Sequence, residues 1–107
     1  MTVVDAASPT EAGAAAATIV NLSGKIDIFT STLLRRQLTD TLRHSTRLLI
    51  LDLSQVSFCD ASGLAVLVGI QHRARAQGIT LGLAHPRPYT AQMLRLTGLD
   101  RSLRMMS

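Results

Sequence analysis

The chain has 107 residues, 47% of them apolar and 17% charged, which is enough for one buried core and too apolar for a disordered segment. No apolar run approaches the roughly 18 residues that cross a bilayer, so one soluble domain spanning residues 1–107 is expected, with no membrane insertion. The formal charge is +4, yet ten of the eleven basic residues are arginines scattered from Arg35 to Arg104, and one Tyr, two Phe and no Trp give no platform for stacking bases, which argues against direct nucleic-acid binding.

Residues Thr2 to Asp5 can form a short strand, followed by turn chemistry at Ser8 to Gly13 and a small-residue tract, Ala14 to Ala17. That tract lacks a basic leader and a leucine-rich centre, so it is not read as a signal peptide. Residues 1–16 are thus expected to be a first strand plus loop. Thr18 to Ile28 reads as a strand or bent strand pair broken at Ser23-Gly24. Thr30 or Ser31 is then a suitable N-cap for a helix carrying Leu34, Leu38, Thr41 and Leu42 on one face and Arg35, Arg36, Asp40 and Arg43 on the other, ending near His44.

Leu48 to Leu53 does not alternate, which predicts a central strand covered on both faces. Ser54-Gln55 interrupts it, Val56 and Phe58 resume it, and the polar turn Asp60-Ala61-Ser62-Gly63 follows. From Gly63 the pattern is helical and apolar nearly all round until Gln71, then polar and basic, with Gly78 placed as a left-handed stop. Ile79 to Leu83 alternates as a strand. Pro88 opens another helix on which Tyr89, Met93 and Leu96 share a face, Gly98 suits a helix stop with Leu99 packing back on Leu94, and Leu103 to Met106 reads as a last strand. The order predicts an α/β domain: a mixed, mostly parallel sheet of four to five strands with three to four helices, connected by right-handed crossovers.

Catalytic signatures are missing from the sequence. Neither phosphate-binding glycine pattern occurs, His44, His72 and His85 have no metal-ligand spacing to one another or to Cys59, and the glycine that a nucleophile elbow needs two residues before Ser62 is replaced by Asp60. Asp52 and Asp60 show no sign of being tuned to different pKa values. No enzyme activity, cofactor or metal is expected, and the lone Cys59 fits a reducing, cytoplasmic setting.

The turn between the central strand and its helix is the one place where the sequence suggests function. Free N–H groups of the helix's first turn face it, Asp60 or Ser62 can cap them, and an exposed hydroxyl there is a good seat for a phosphate. A cap with no further role explains Asp60 and Ser62 equally well.

The chain resembles the STAS domain of bacterial anti-sigma factor antagonists. The resemblance is carried by Leu22-Ser23-Gly24-Lys25-Ile26-Asp27, by Leu51-Asp52-Leu53-Ser54 with Val56 and Phe58, by Asp60-x-Ser62-Gly63-Leu64, and by Leu94-x-Leu96-Thr97-Gly98-Leu99. It implies a STAS-like fold and a partner switch, in which the unmodified antagonist binds an anti-sigma factor that is usually a serine kinase, and phosphorylation of the turn reverses the binding. By matching positions it implies partner contacts at Asp27, Asp60, Ser62 and Leu64, with Val66 or Ile70 adding apolar area unless these side chains are plain core. In the family the acceptor follows the Asp directly, and here that residue is Ala61. Either Ser62 is the phosphorylation site instead, or the protein binds constitutively, which the alanine favours. The resemblance also leaves room for a STAS module of another assembly, such as a stress-signalling scaffold or an accessory subunit of a lipid-transport ATPase.

Overall fold

A computed structural model describes residues 3–6, 10–12, 15–45 and 47–106, with side chains from Ala17 onward. Six strands and four helices follow in the order β1 (Val3–Ala6), β2 (Thr10–Ala12), β3 (Ala15–Ile26), α1 (Ser31–Arg43), β4 (Leu48–Cys59), α2 (Ala61–Ala76), β5 (Thr80–Ala84), α3 (Pro88–Leu96), α4 (Leu99–Ser102) and β6 (Arg104–Met106). The sheet order is β1-β3-β4-β5-β6, with β2 also on β3. β3, β4, β5 and β6 are parallel neighbours, whereas β1 and β2 run antiparallel along the two halves of β3. Thr10–Ala12, expected in a turn, is therefore strand. Ser8, Pro9, Gly13 and Thr2 lie outside the described residues.

β4 departs from its expected form in two ways. It is not interrupted at Ser54-Gln55 but runs unbroken to Cys59, because its pairing with β3 absorbs extra residues. Asn21 faces Asp52, Ser23 faces Gln55, and Lys25 faces Phe58, so β4 gains one residue at each register shift. The Asp52 carboxylate accepts from the Ser54 N–H at 2.8 Å at the first of these. Each bulge moves the side-chain alternation by one position. Leu49, Leu51 and Leu53 point to the core, and after the bulges so do Val56 and Cys59. β4 is also not covered equally on both faces, since Leu48 and Ile50 between these positions are only half-buried. The continuous apolar run reflects one closed face and one partly covered face.

Leu34, Leu38 and Leu42 of α1 recur every fourth residue and are fully buried with Leu64, Leu67 and Ile70 of α2, and with the inward residues of β3, β4 and β5. Each such side chain contributes about 1.5–3 kcal/mol by leaving water. α1 begins after Thr30, but no side chain caps it there. The Thr30 hydroxyl instead donates to the Lys25 carbonyl at 2.9 Å and accepts from the Asp27 N–H at 3.0 Å, which closes the preceding turn. On α3 the buried residues are not those of the face that Tyr89, Met93 and Leu96 share. Thr90 and Leu94 are buried, while Tyr89 and Leu96 are exposed. Tyr89 stacks on Phe58 with ring centroids 5.6 Å apart, and the Arg87 Nε–H donates to the Ser54 carbonyl at 2.8 Å, so the start of α3 is fastened to β4. Gly98 adopts φ 77°, a left-handed conformation that costs glycine little, and the short α4 starts directly after it.

Candidate functional site at the ends of β3 and β4

β3 and β4 are parallel and end side by side, Ile26 opposite Cys59, with the Asp60 N–H donating to the Ile26 carbonyl at 3.1 Å. The turns that leave these strands, one through Asp27 and one through Asp60, therefore emerge together at the same end of the sheet.

Asp60 is extended and caps α2. Its Oδ1 accepts from the backbone N–H of Ser62 at 2.9 Å and of Gly63 at 3.2 Å, and the Ser62 hydroxyl donates to the same oxygen at 2.5 Å. The Ser62 hydrogen bond, with the backbone N–H groups behind it, outweighs the small desolvation and holds the Asp60 carboxyl below the usual carboxylate range. The helix thus begins at Ala61, two residues earlier than the hydrophobic pattern indicates. Ala61 is exposed at the first helical position, and Ser62 is half-buried with its hydroxyl engaged.

Gly63 is buried against the strand ends. A Cβ there would lie 2.6 Å from Cys59 Sγ and 2.7 Å from Ile26 Cγ2, so the helix reaches the sheet only because this residue has no side chain. Burial, and secondarily the Asp60 carboxylate, push the Cys59 thiol up to about 11, leaving it protonated and inert.

The Asp27 turn is built by the same chemistry. Asp27 Oδ1 accepts from the N–H of Phe29 at 2.9 Å and of Thr30 at 3.2 Å, and its carbonyl accepts from the Ser31 N–H at 2.8 Å. Folding the backbone around Asp27 turns the two intervening side chains outward, so that Ile28 is 66% and Phe29 86% exposed, with Leu33 of α1 also exposed at 41%. These residues were not among those expected at the site. The pattern from Thr18 predicts a strand through Ile28, although Asp27 followed three residues later by Thr30 is turn chemistry. Leu64, expected at the interface, is 5% exposed and belongs to the core, as do Val66 and Ile70. α2 packs against both α1 and β5, so its apolar first half is covered within the domain. The apolar area beside the turn comes from Ile28 and Phe29.

Asp52 and Asp60 are shifted in the same direction. Burial alone would raise the Asp52 carboxyl, but the Ser54 hydrogen bonds and the nearby His85 bring it below its ordinary value, so both carboxylates are ionised at neutral pH and do not divide acid and base roles. Among the described residues no group of three or more His, Cys, Asp or Glu is placed to hold a metal ion, and no helix is long and apolar enough to cross a membrane.

The parallel strands β3 and β4 thus end in two carboxylate-capped turns beside the exposed Ile28 and Phe29, within a small domain of mixed α/β class. The chain belongs to the STAS domain family, whose model matches residues 8–107. It is 32% identical to the anti-sigma-B factor antagonist of Bacillus subtilis over 75% of this chain and 72% of that one. It is 26% identical to the anti-sigma-F factor antagonist RsfB of Mycobacterium tuberculosis over 83% of this chain and 72% of the relative. The crystal structure of an anti-sigma factor antagonist from Mycobacterium paratuberculosis superposes with a TM-score of 0.78 at 26% identity, covering 98% of this chain and 83% of that one.

Proposed function

We propose that this protein is an anti-sigma factor antagonist that binds an anti-sigma factor of the serine-kinase type, releases the sigma factor for transcription, and does so without a phosphate switch. It acts as a binding protein in the cytoplasm, not as an enzyme. The docking surface is the shared end of β3 and β4: Asp60 and Ser62 present the start of α2, Asp27 shapes the neighbouring turn, and Ile28 and Phe29 supply the apolar anchor.

The observation that carries the constitutive reading is the state of the two residues after Asp60. Ala61, exposed at the first position of α2, has no hydroxyl to modify, and the Ser62 hydroxyl is committed to the Asp60 carboxylate at 2.5 Å. A phosphate of charge about −1.5 to −2 on Ser62 would sit against that carboxylate, where like charges repel. Titrating the anti-sigma factor of the same cell with the wild-type chain and with Phe29→Ser tests the surface. The expected result is a loss of at least about thirtyfold in affinity, the scale of an interface anchor, with an unchanged melting temperature; equal affinity refutes the surface. Stoichiometric phosphate on Ser62 after incubation with the kinase and ATP, found by mass spectrometry, refutes the constitutive reading.

A further inference from the structure

The outer face of α1 carries Arg35, Arg36, Thr39, Asp40 and Arg43, and Arg73 of α2 stands across from them; together these six residues line one cavity of about 370 Å³. Sequence spacing puts the α1 residues on one side of that helix, since 35, 39 and 43 are each four apart and 36 and 40 lie one position on. The buried leucines on the opposite side, Leu34, Leu38 and Leu42, fix α1 so that this row faces away from the core. Only the packing of α2 beside α1 brings Arg73 to it. Four arginines thus line one space that holds a single acidic residue.

Arg36 and Asp40, and Asp40 and Arg43, stand at the spacings that allow ion pairs on a helix. Among the described residues, however, none of these six side chains makes a hydrogen bond or ion pair with another of them. The fork of a guanidinium donates in parallel to two oxygens of a phosphoryl group, and several such forks around one space favour an anion with several phosphoryl groups over one with a single charge. No aromatic residue lines the cavity, so nothing in its wall would stack on a base. We propose that this groove binds a compact oligophosphate anion, recognised through its phosphoryl groups and not through any base attached to them. The cavity shares no lining residue with the turns at the ends of β3 and β4, so the substitutions that test it leave Asp27, Ile28, Phe29, Asp60 and Ser62 unchanged.

The experiment is calorimetric titration of the full chain with inorganic tripolyphosphate, with adenosine triphosphate and with sulfate at matched ionic strength. It is repeated for the double variant Arg36→Ser with Arg73→Ser and for Asp40→Asn. All three substituted side chains are exposed, so melting temperatures near the wild-type value confirm folded variants. Expected are affinities for the two triphosphates within about threefold of one another, no saturable heat with sulfate, and a loss of about tenfold or more in the double-arginine variant. Asp40→Asn, which removes the one repelling charge, binds more tightly. The proposal is overturned by undiminished binding in the double-arginine variant, by weaker binding in Asp40→Asn, by sulfate binding as well as tripolyphosphate, or by absence of tripolyphosphate binding. Adenosine triphosphate binding more than about tenfold tighter than tripolyphosphate overturns it as well, because a base would then be read.

Discussion

Replacing Gly63 with alanine tests how the turn is held. The new Cβ would stand 2.6 Å from Cys59 Sγ, 2.7 Å from Ile26 Cγ2 and 3.2 Å from Ile26 Cβ, against ordinary contact distances of about 3.5–4.0 Å. Neither neighbour has room to retreat, for Cys59 is 1% exposed and Ile26 is fully buried. Relief must come from lifting the first turn of α2 off the strand ends, which disturbs the Asp60 cap. Overpacking of this kind costs about 1–3 kcal/mol, and a central value of about 2 kcal/mol lowers the melting temperature of a domain this size by roughly 10 °C. Circular dichroism melts and urea titrations of Gly63→Ala measure it directly. Cys59→Ala removes the nearer obstacle but leaves Ile26, so in that background the cost of Gly63→Ala should shrink by at least about 0.5 kcal/mol without vanishing. A Gly63→Ala protein that melts with the wild type, or whose penalty is the same with and without the Cys59 sulfur, refutes the argument.

Ala61→Ser restores a hydroxyl at the exposed position after Asp60; its stability should stay within about 0.5 kcal/mol of wild type. Incubation with the proposed kinase-type partner and ATP should phosphorylate it and weaken binding about a hundredfold, or ~3 kcal/mol, whereas a phosphorylated variant that still binds fully would show that the turn is outside the interface. Cys59 ionises near 11 in the folded protein but near 8.5 when unfolded. The unfolded state therefore loses its proton first, and stability should fall as pH rises from about 8.5 toward 11. Urea midpoints follow this decline, and Cys59→Ala should not show it. On the acid side, Asp52 and Asp60 have folded pKa values below their ordinary ones, so the stability they contribute is present above about pH 4 and lost as pH falls through the folded values. Urea midpoints for Asp60→Asn should depend less on pH in that range.

The parallel order of strands and helices was legible because the relevant signals are local. Leu34, Leu38 and Leu42 announce a helix by their spacing, and Asp60 announces the start of another. β4 was harder to bound. Ser54-Gln55 interrupts the apolar run before Val56 and Phe58 resume it, and only pairing with β3 shows that one strand continues through bulges, because a bulge is a property of two strands. The α1 cap failed in the same way: Thr30 is a good cap residue by type, but its hydroxyl is taken by the Lys25 carbonyl across the turn. At the site, the Asp60 cap could be read from sequence and the neighbouring apolar pair could not. Ile28 reads as the end of a strand and Phe29 has no pattern of its own, and only the Asp27 turn shows both directed into solvent.

Sequence by itself determined the identity of the two groups that matter most at the turn: a carboxylate at Asp60 that caps whatever helix follows, and a methyl at Ala61 that no kinase can modify. These are matters of covalent chemistry and of hydrogen bonds between near neighbours. What only the tertiary structure decided is which side chains are available. Leu64 lies in the core and Phe29 outside it, Gly63 is required by atoms 37 and four residues distant in the chain, and Arg73 joins arginines thirty residues and more before it. Availability depends on what packs on each side of an element, and that partner is set by the whole fold.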